Sequence, residues 1–165
     1  MSEQSRIPNG FFELYDAESY EEFIKVTERT LFRKAPEYKL WLATTNNDKC
    51  ALTGEDKNSV EIEVHHYGTT LWDITVEVVD AIIEEGLLVN SFYVCQILAD
   101  LHLSGCVDYI PLAHDVHKMY HKNYGQFCRK YPDAESFVTH GDMKLKKEII
   151  HDWVARLKRI QQPGG

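Results

Sequence analysis

The histidines of this chain are concentrated in two short segments, and their arrangement limits the folds that it can adopt. Five of the eight histidines lie there, and they are His65, His66, His114, His117 and His121. The first segment ends residues 60–66, where apolar and acidic residues alternate as in a β-strand. The second has the spacing of a helix. A strand end and a helix face that both present imidazoles are typical of a small metal site, which the sequence therefore predicts.

The spacing within each segment limits what its histidines can do. On a helix, His114, His117 and His121 fall within an arc of about 60° on one face. His117 and His121 are four residues apart, so their imidazoles can share one divalent ion. Neighbouring residues of a strand point to opposite sides, so His65 and His66 divide between two faces unless the strand ends there. One of them could hold a metal while the other accepts a proton from water.

Length and composition favour one globular domain. The chain has 165 residues, 44% of them hydrophobic, which is enough for a core of its own. It contains no run of about 18 apolar residues and no secretory leader, so we expect no membrane partner. Its four cysteines form no C-x-x-C pair, which indicates reduced thiols and a cytoplasmic location.

Charge is distributed unevenly along the chain, whose net charge is −8. Residues 50–107 contain ten acidic residues and one lysine, whereas residues 108–165 contain seven acidic and ten basic residues. Such asymmetry is compatible with a basic face that binds a polyanion and an acidic lobe that binds something else.

Hydrophobic spacing, capping residues and turn residues predict a mostly helical chain with one hairpin. The predicted elements are a helix over 20–33, a second helix from Pro36, a hairpin over 49–66 with strands at 49–52 and 60–66, a helix over 71–85, a helix opened by Asn90 or Ser91 and closed by Gly105, an extended segment over 108–111, a helix over 112–123 and a last helix that Asp142 caps.

Three segments, residues 50–54, 61–66 and 108–121, resemble the HNH endonucleases, whose ββα-metal core is shared with the colicin DNases. The resemblance implies an α+β fold, a mostly helical single domain around a ββα-metal hairpin-plus-helix motif. Residues 1–165 would form one HNH-like domain, and its parts would be N-terminal helices (1–48), the hairpin (49–66), a helical insertion (71–105), the metal helix (107–123) and the C-terminal helix (142–161).

By the same resemblance, the chain would be an enzyme, a metal-dependent endonuclease that hydrolyses DNA phosphodiester bonds. His66 would be the general base, and Asp108 would stand at the family's Asn position, where it would brace the loop or touch the metal. One divalent ion (Mg, Mn, Ni or Zn) would be held by His65, His117 and His121. The cations nearest to this site for the DNA backbone are Lys118, Lys122, Arg129 and Lys130.

Other interpretations remain open from the sequence. An HNH-like scaffold could act without catalysis, as a binding or inhibitory protein on a nucleic-acid-processing partner. The segment 71–105 has six acidic residues and no Lys or Arg, so it could face a protein partner or a second subunit. Taken singly, His66 fits a core histidine, His65 fits a surface residue beside Glu61 and Glu63, and the three later histidines fit a solvated helix face.

Overall fold

The structure, a computed structural model, describes residues 10–164. A short 3₁₀ turn at Leu14–Asp16 comes before the first long helical stretch. Within these described residues, seven α-helices and two strands follow in the order α1 (Tyr20–Lys25), α2 (Pro36–Thr44), β1 (Ile62–His66), α3 (Leu71–Glu84), α4 (Ser91–Leu103), β2 (Tyr109–Ala113), α5 (His114–Lys122), α6 (Tyr124–Lys130) and α7 (Met143–Gln161). This confirms the predicted fold class, a mostly helical α+β chain with a small antiparallel sheet.

Several helix starts have the capping residues expected from the sequence. The Ser19 side chain accepts a hydrogen bond from the Glu22 N–H at the start of α1, and Asp142 accepts one from the Leu145 N–H at the start of α7. Asn90 caps α4 in the same way. The predicted helix 20–33 is helical up to Phe32, and α1 passes at Val26 into a π-helical segment that ends there.

The predicted hairpin over 49–66 is wrong. β1 pairs in antiparallel register with β2, from Ile62 opposite Ala113 to His66 opposite Tyr109. The expected first strand, residues 49–52, is instead part of a tight turn. The Gly54 N–H donates a hydrogen bond to the Cys50 carbonyl oxygen, and Lys49 pairs with Asp56 in an isolated β-bridge. The pairing with β2 buries Ile110 and Leu112 completely, and a local hairpin would leave these side chains without a sheet.

The chain divides into two compact units. The helical unit comprises the described residues up to Trp41, Thr70–Cys106 and the described residues from Asp142 onward. The site unit comprises Leu42–Thr69 and Val107–Gly141. The segment 71–105, which we predicted to be a helical insertion, lies in the helical unit with α1 and α7. The assignment of residues 1–165 to one domain stays a prediction.

Each unit has its own apolar interior. In the helical unit, α3 buries an apolar stripe that includes Leu71, Ile74, Val78 and Ile82. In the site unit, a single cluster lies around the sheet and the two helices that follow it, and its buried members include Cys50, Ile110, Leu112, Val116, Phe127 and Val138. In the described part of the chain, no helix combines the length and the apolar character needed to cross a membrane.

A buried histidine in the helical unit gives a testable pH dependence. His102 is 2% exposed, its ring lies 4.7 Å from the Trp41 ring and 4.9 Å from the Phe32 ring, and its Nδ1 is 2.6 Å from the Leu98 carbonyl oxygen. Burial lowers the pKa of His102 to about 4, although the hydrogen bond to Leu98 opposes this shift. The folded state therefore keeps His102 neutral at pH values where the unfolded chain protonates it.

We expect the free energy of unfolding to fall as the pH drops from about 6.5 towards 4, by ~1.4 kcal/mol per pH unit for this group. The total contribution is about 3 kcal/mol, and stability does not change from this source above pH 7. Urea unfolding between pH 7.5 and 4.5 measures it. His102→Leu should flatten the slope, while the control His151→Ala, at an exposed site of the same unit, should leave it unchanged. Equal slopes in the two variants would contradict the assignment.

Candidate metal centre

β1 presents Glu63 and His65 on one face because residues two apart on a strand point the same way. His65 is 7% exposed, so it is not the surface residue that its acidic neighbours suggested. The Tyr120 ring packs against it with centroids 4.5 Å apart, and Tyr67 adds an edge contact at 6.1 Å. These aromatic rings hold the His65 imidazole in place beside α5.

The helix α5 begins immediately after β2, and this short connection positions its histidines over β1. Ala113 is both the last residue of β2 and the N-cap of α5. The His114 N–H donates to the Glu61 carbonyl oxygen at 2.9 Å, which ties the start of the helix to the segment that leads into β1. On the inner side, Val116 is buried in the core of the site unit. These contacts fix the position of α5 beside β1, with His114, His117 and His121 on the side of the helix that faces the strand.

Three imidazole nitrogens converge between β1 and α5. The Nε2 atom of His117 lies 2.9 Å from Nδ1 of His65 and 2.8 Å from Nε2 of His121. One ligand atom from each of the three residues lies within 4.8 Å of the others. The cluster runs from the interior to the surface, since His65 is buried, His117 is half-buried and His121 is exposed. We call these three residues the histidine cluster.

Glu63 orients His117, the central member of the histidine cluster, through the ring nitrogen that does not face the other two histidines. Its carboxylate accepts hydrogen bonds from Nδ1 of His117, at very short range, and from Nδ1 of His114 at 2.9 Å. Burial disfavours the charged form, but the hydrogen bonds from His114 and His117 outweigh it and hold the pKa of Glu63 below its ordinary value. A carboxylate that receives the outer N–H of a histidine fixes the ring and leaves the other nitrogen free to bind a metal.

Three neutral imidazoles can satisfy this geometry only by sharing one acceptor atom. A neutral ring has one N–H and one lone pair. His117 donates its Nδ1–H to Glu63, so its Nε2 offers a single lone pair, at which both His65 and His121 are aimed. Burial lowers the pKa of His121, which favours the neutral form that can bind a metal. A divalent cation would accept all three lone pairs at once.

The spacing of the cluster also suits a metal ion after a small adjustment. Zinc–nitrogen bonds of about 2.0–2.1 Å at tetrahedral angles separate ligand atoms by about 3.3 Å. The nitrogens of the cluster would have to move apart by a few tenths of an ångström. Rotation of the exposed His121 ring can widen its distance to His117, and the distance between His65 and His117 must widen as well.

The other predicted catalytic residues lie away from the histidine cluster. By strand alternation His66 faces the opposite side of β1, where it is buried opposite Tyr109 in the register. The Asp108 side chain accepts a very short hydrogen bond from the Gly141 N–H, and its carbonyl oxygen accepts one from Tyr67. His66 is thus built into the strand, and Asp108 braces the loops at the end of the sheet.

The four expected DNA-contacting residues all have exposed side chains. Lys118 and Lys122 lie on α5, and Arg129 and Lys130 lie in the last turn of α6. Their contact with DNA stays a prediction.

Two contributors were missed at the sequence level. Glu63 was considered only as a sign that His65 is exposed, although strand alternation places both on one face. His114 was grouped with the helix histidines, but its Nδ1 bonds to Glu63, and it is not a member of the histidine cluster. The sequence signal for Glu63 and His114 was the Glu-x-His pattern of β1, which places Glu63 on the same face as His65, together with the histidines that recur at helical spacing on α5.

Comparison with known proteins gives one result. Residues 2–162 match the model of a family described as bacteriophage G278-like virion proteins. No curated protein and no solved structure matches the chain.

This match overturns the nuclease interpretation. It covers nearly the whole chain, whereas the resemblance to HNH endonucleases rested on three short segments, and no HNH family matches. The predictions of an enzyme and of DNA phosphodiester hydrolysis are therefore wrong, and nothing supports the alternative of an HNH-like binding or inhibitory scaffold. Histidine pairs at the end of a strand, or four residues apart on a helix, occur in proteins of unrelated fold and function, so these short segments do not identify a family.

Proposed function

Because the chain belongs to the bacteriophage G278-like virion protein family, we propose that it is a structural component of the phage particle and that it carries one transition-metal ion. The observation that supports the metal most directly is the convergence of Nδ1 of His65 with Nε2 of His117 and His121. The metal would work as a clamp between β1 and α5 and not as a catalyst.

The donor set indicates which metals fit. Three imidazole nitrogens suit zinc, nickel, cobalt or copper, whereas magnesium and manganese prefer oxygen ligands. Of the ions expected from the sequence, zinc and nickel are therefore favoured. Glu63, hydrogen-bonded to His117, would act as the outer carboxylate that raises the basicity of a metal-bound histidine.

A clamp at this position has a structural use. The sheet of the site unit has only two strands, and an isolated two-stranded sheet is marginally stable in water. A metal held by His65 on β1 and by His117 and His121 on α5 would fix the helix to the strand. Such a site would add stability by binding to the folded chain and not to the unfolded one.

Titration with Zn²⁺ tests the proposal. We expect one ion to bind per chain in calorimetry, and X-ray absorption of the Zn²⁺ complex should give a first shell that contains three imidazole nitrogens. At a free Zn²⁺ concentration 100 times the dissociation constant, the free energy of unfolding should rise by about 2.7 kcal/mol. Binding without stabilisation, or binding that survives in a variant lacking His65, would contradict the proposed site.

The control and the location need separate measurements. His140→Ala removes an exposed histidine of the site unit outside the cluster and should leave the titration unchanged. Mass spectrometry of purified phage particles should detect the chain in fixed stoichiometry with other virion proteins. Its absence from intact particles would contradict the structural role, whatever the result of the metal titration.

A further inference from the structure

We propose that His114 is a positioning residue of the metal site, which holds Glu63 in the orientation that serves His117. The His114 imidazole does not bind the metal. It fixes the Glu63 carboxylate, and through that carboxylate it raises the affinity of the histidine cluster for its ion. This inference rests on the proposed metal site and adds to it a residue outside the cluster.

The Glu63 carboxylate is shared between two imidazoles of the same helix. Its Oε1 atom accepts a hydrogen bond from Nδ1 of His114 at 2.9 Å, and its Oε2 atom accepts the very short one from Nδ1 of His117. The two histidines are three residues apart, about one turn of α5, so one carboxylate can reach both. Each oxygen has its own donor, and the two contacts together set the plane of the carboxylate.

Glu63 needs a second contact because its side chain is long and partly in solvent. Its exposed fraction is 31%, and a glutamate side chain loses rotational freedom when it is held in one orientation. The hydrogen bond from His114 compensates for this loss before any metal arrives. The carboxylate is then already aligned with His117, and a site that is aligned in advance binds more tightly than one that must be ordered on binding.

The backbone around His114 is fixed independently of its side chain. The His114 N–H donates to the Glu61 carbonyl oxygen at 2.9 Å, and the preceding residue, Ala113, lies opposite Ile62 in the sheet. The side chains of Glu63 and His114 therefore project from adjoining, hydrogen-bonded segments of main chain. Replacing the His114 side chain should leave α5 in place.

The electrostatics of His114 agree with this contact. The hydrogen bond to Glu63 and the charge of that carboxylate raise the pKa of His114, and the charges of Glu61 and Asp115 add to the shift. A positive charge on His114 also acts in the opposite sense, because it draws electron density from Glu63 and lowers the basicity of His117. Since His114 is 52% exposed, water and salt screen that effect, and we expect the orientation of Glu63 to dominate.

Glu61 gives these residues a second possible use. One ligand atom from each of Glu61, Glu63 and His114 lies within 4.8 Å of the others, close enough to surround a cation. However, Glu61 and His114 are both exposed, and the hydrogen bond between His114 and Glu63 already accounts for their approach. We therefore favour the positioning role and make a second cation one outcome of the test.

Competition between the full chain and a fluorescent chelator for Zn²⁺, near neutral pH, tests the proposal. We expect His114→Ala to lower the affinity about 3–10-fold, less than the roughly 10–100-fold typical of a partner that touches the metal ligand itself. His114→Asn should restore it to within about 2-fold, because the amide Nδ2 takes the place of the imidazole Nδ1 and can donate to Glu63. His140→Ala, at an exposed site of the same unit, should have no effect.

A double-mutant cycle with Glu63→Ala shows whether the effect passes through the carboxylate. In the Glu63→Ala background, His114→Ala should lower Zn²⁺ affinity no further, because the group that it positions is gone. Losses that add in the double variant would mean that His114 acts on the cluster without Glu63, and the proposal would be wrong.

Proton NMR of the Zn²⁺-loaded chain gives a readout that a change in stability alone would not move. The Nδ1 proton of His117 lies in the very short hydrogen bond to Glu63 and should resonate far downfield. We expect this resonance to move upfield in His114→Ala and to return in His114→Asn. An unchanged resonance in His114→Ala would contradict the role assigned to His114.

The remaining outcomes separate this inference from the proposed function. If the unaltered chain binds no Zn²⁺, the proposed function fails and the inference falls with it. If one Zn²⁺ binds through three imidazoles and His114→Ala has unchanged affinity, the inference is wrong and the metal site stands. Equal losses in His114→Ala and His114→Asn would reject the hydrogen bond as the cause. A second Zn²⁺ that is lost in both His114→Ala and Glu61→Gln would make His114 a ligand instead.

Discussion

Replacing His117 with alanine is expected to lower Zn²⁺ affinity more than about 100-fold, since loss of an outer-shell partner alone costs about 10–100-fold. His117 occupies the centre of the histidine cluster, with its Nε2 atom within 2.9 Å of both other nitrogens. Its loss leaves His65 and His121 without the ligand between them. Competition with a fluorescent chelator of known affinity measures the change.

A graded series of substitutions makes this expectation sharper. Glu63→Gln should weaken binding about 10–100-fold, because an amide cannot supply the charge that orients His117. His66→Ala should leave Zn²⁺ affinity within a few-fold of the unaltered chain, since His66 faces the other side of β1. A loss at His66 as large as that at His117 would mean that the cluster is built differently from the description above.

Replacing Phe127 with alanine is expected to lower the free energy of unfolding of the site unit by about 3–5 kcal/mol. Phe127 is 1% exposed, and its ring packs edge-on against Tyr120 at 5.2 Å and against Tyr131 at 5.6 Å. Its removal leaves a cavity between α6 and the sheet. Because Tyr120 supports the His65 ring, metal affinity should fall as well, and by less than in His117→Ala.

The matched control is Phe137→Ala in the same unit, where the ring is 51% exposed. Its effect should stay within about 0.5 kcal/mol. Urea unfolding followed by tyrosine and tryptophan fluorescence measures both variants, with and without Zn²⁺. Similar losses in the two variants would show that the buried aromatic cluster around Phe127 does not hold the site unit together.

The sequence predicted the helices well because their signals are local. The caps at Ser19, Asn90 and Asp142 and the stripe on α3 depend on residues within a few positions of one another, and the structure has them all. The strand 60–66 and the helix with the histidines were also found. These two elements bring His65, His117 and His121 together, which is the part of the site that the pattern predicted.

The errors came from non-local features. The pairing of β1 with β2 joins residues about 47 positions apart, which neither alternation nor turn residues can indicate, so the nearer segment at 49–52 was assigned as the partner. The separate role of Glu63 depends on the position of α5 over the strand. The family could not be read from three short segments, because imidazoles at metal-binding spacing recur in proteins of unrelated function.

The wide separation of His65 and His117 along the chain has a consequence for biosynthesis. The two residues are 52 positions apart, and the intervening stretch belongs largely to the helical unit. A chain emerging from the ribosome presents one ligand, then an entire helical pair, and only then the remaining two. Closing a loop of this size costs about 4 kcal/mol in chain entropy. Metal capture at the proposed site would therefore wait until His121 has emerged, and products truncated before His117 would lack two of the three ligands.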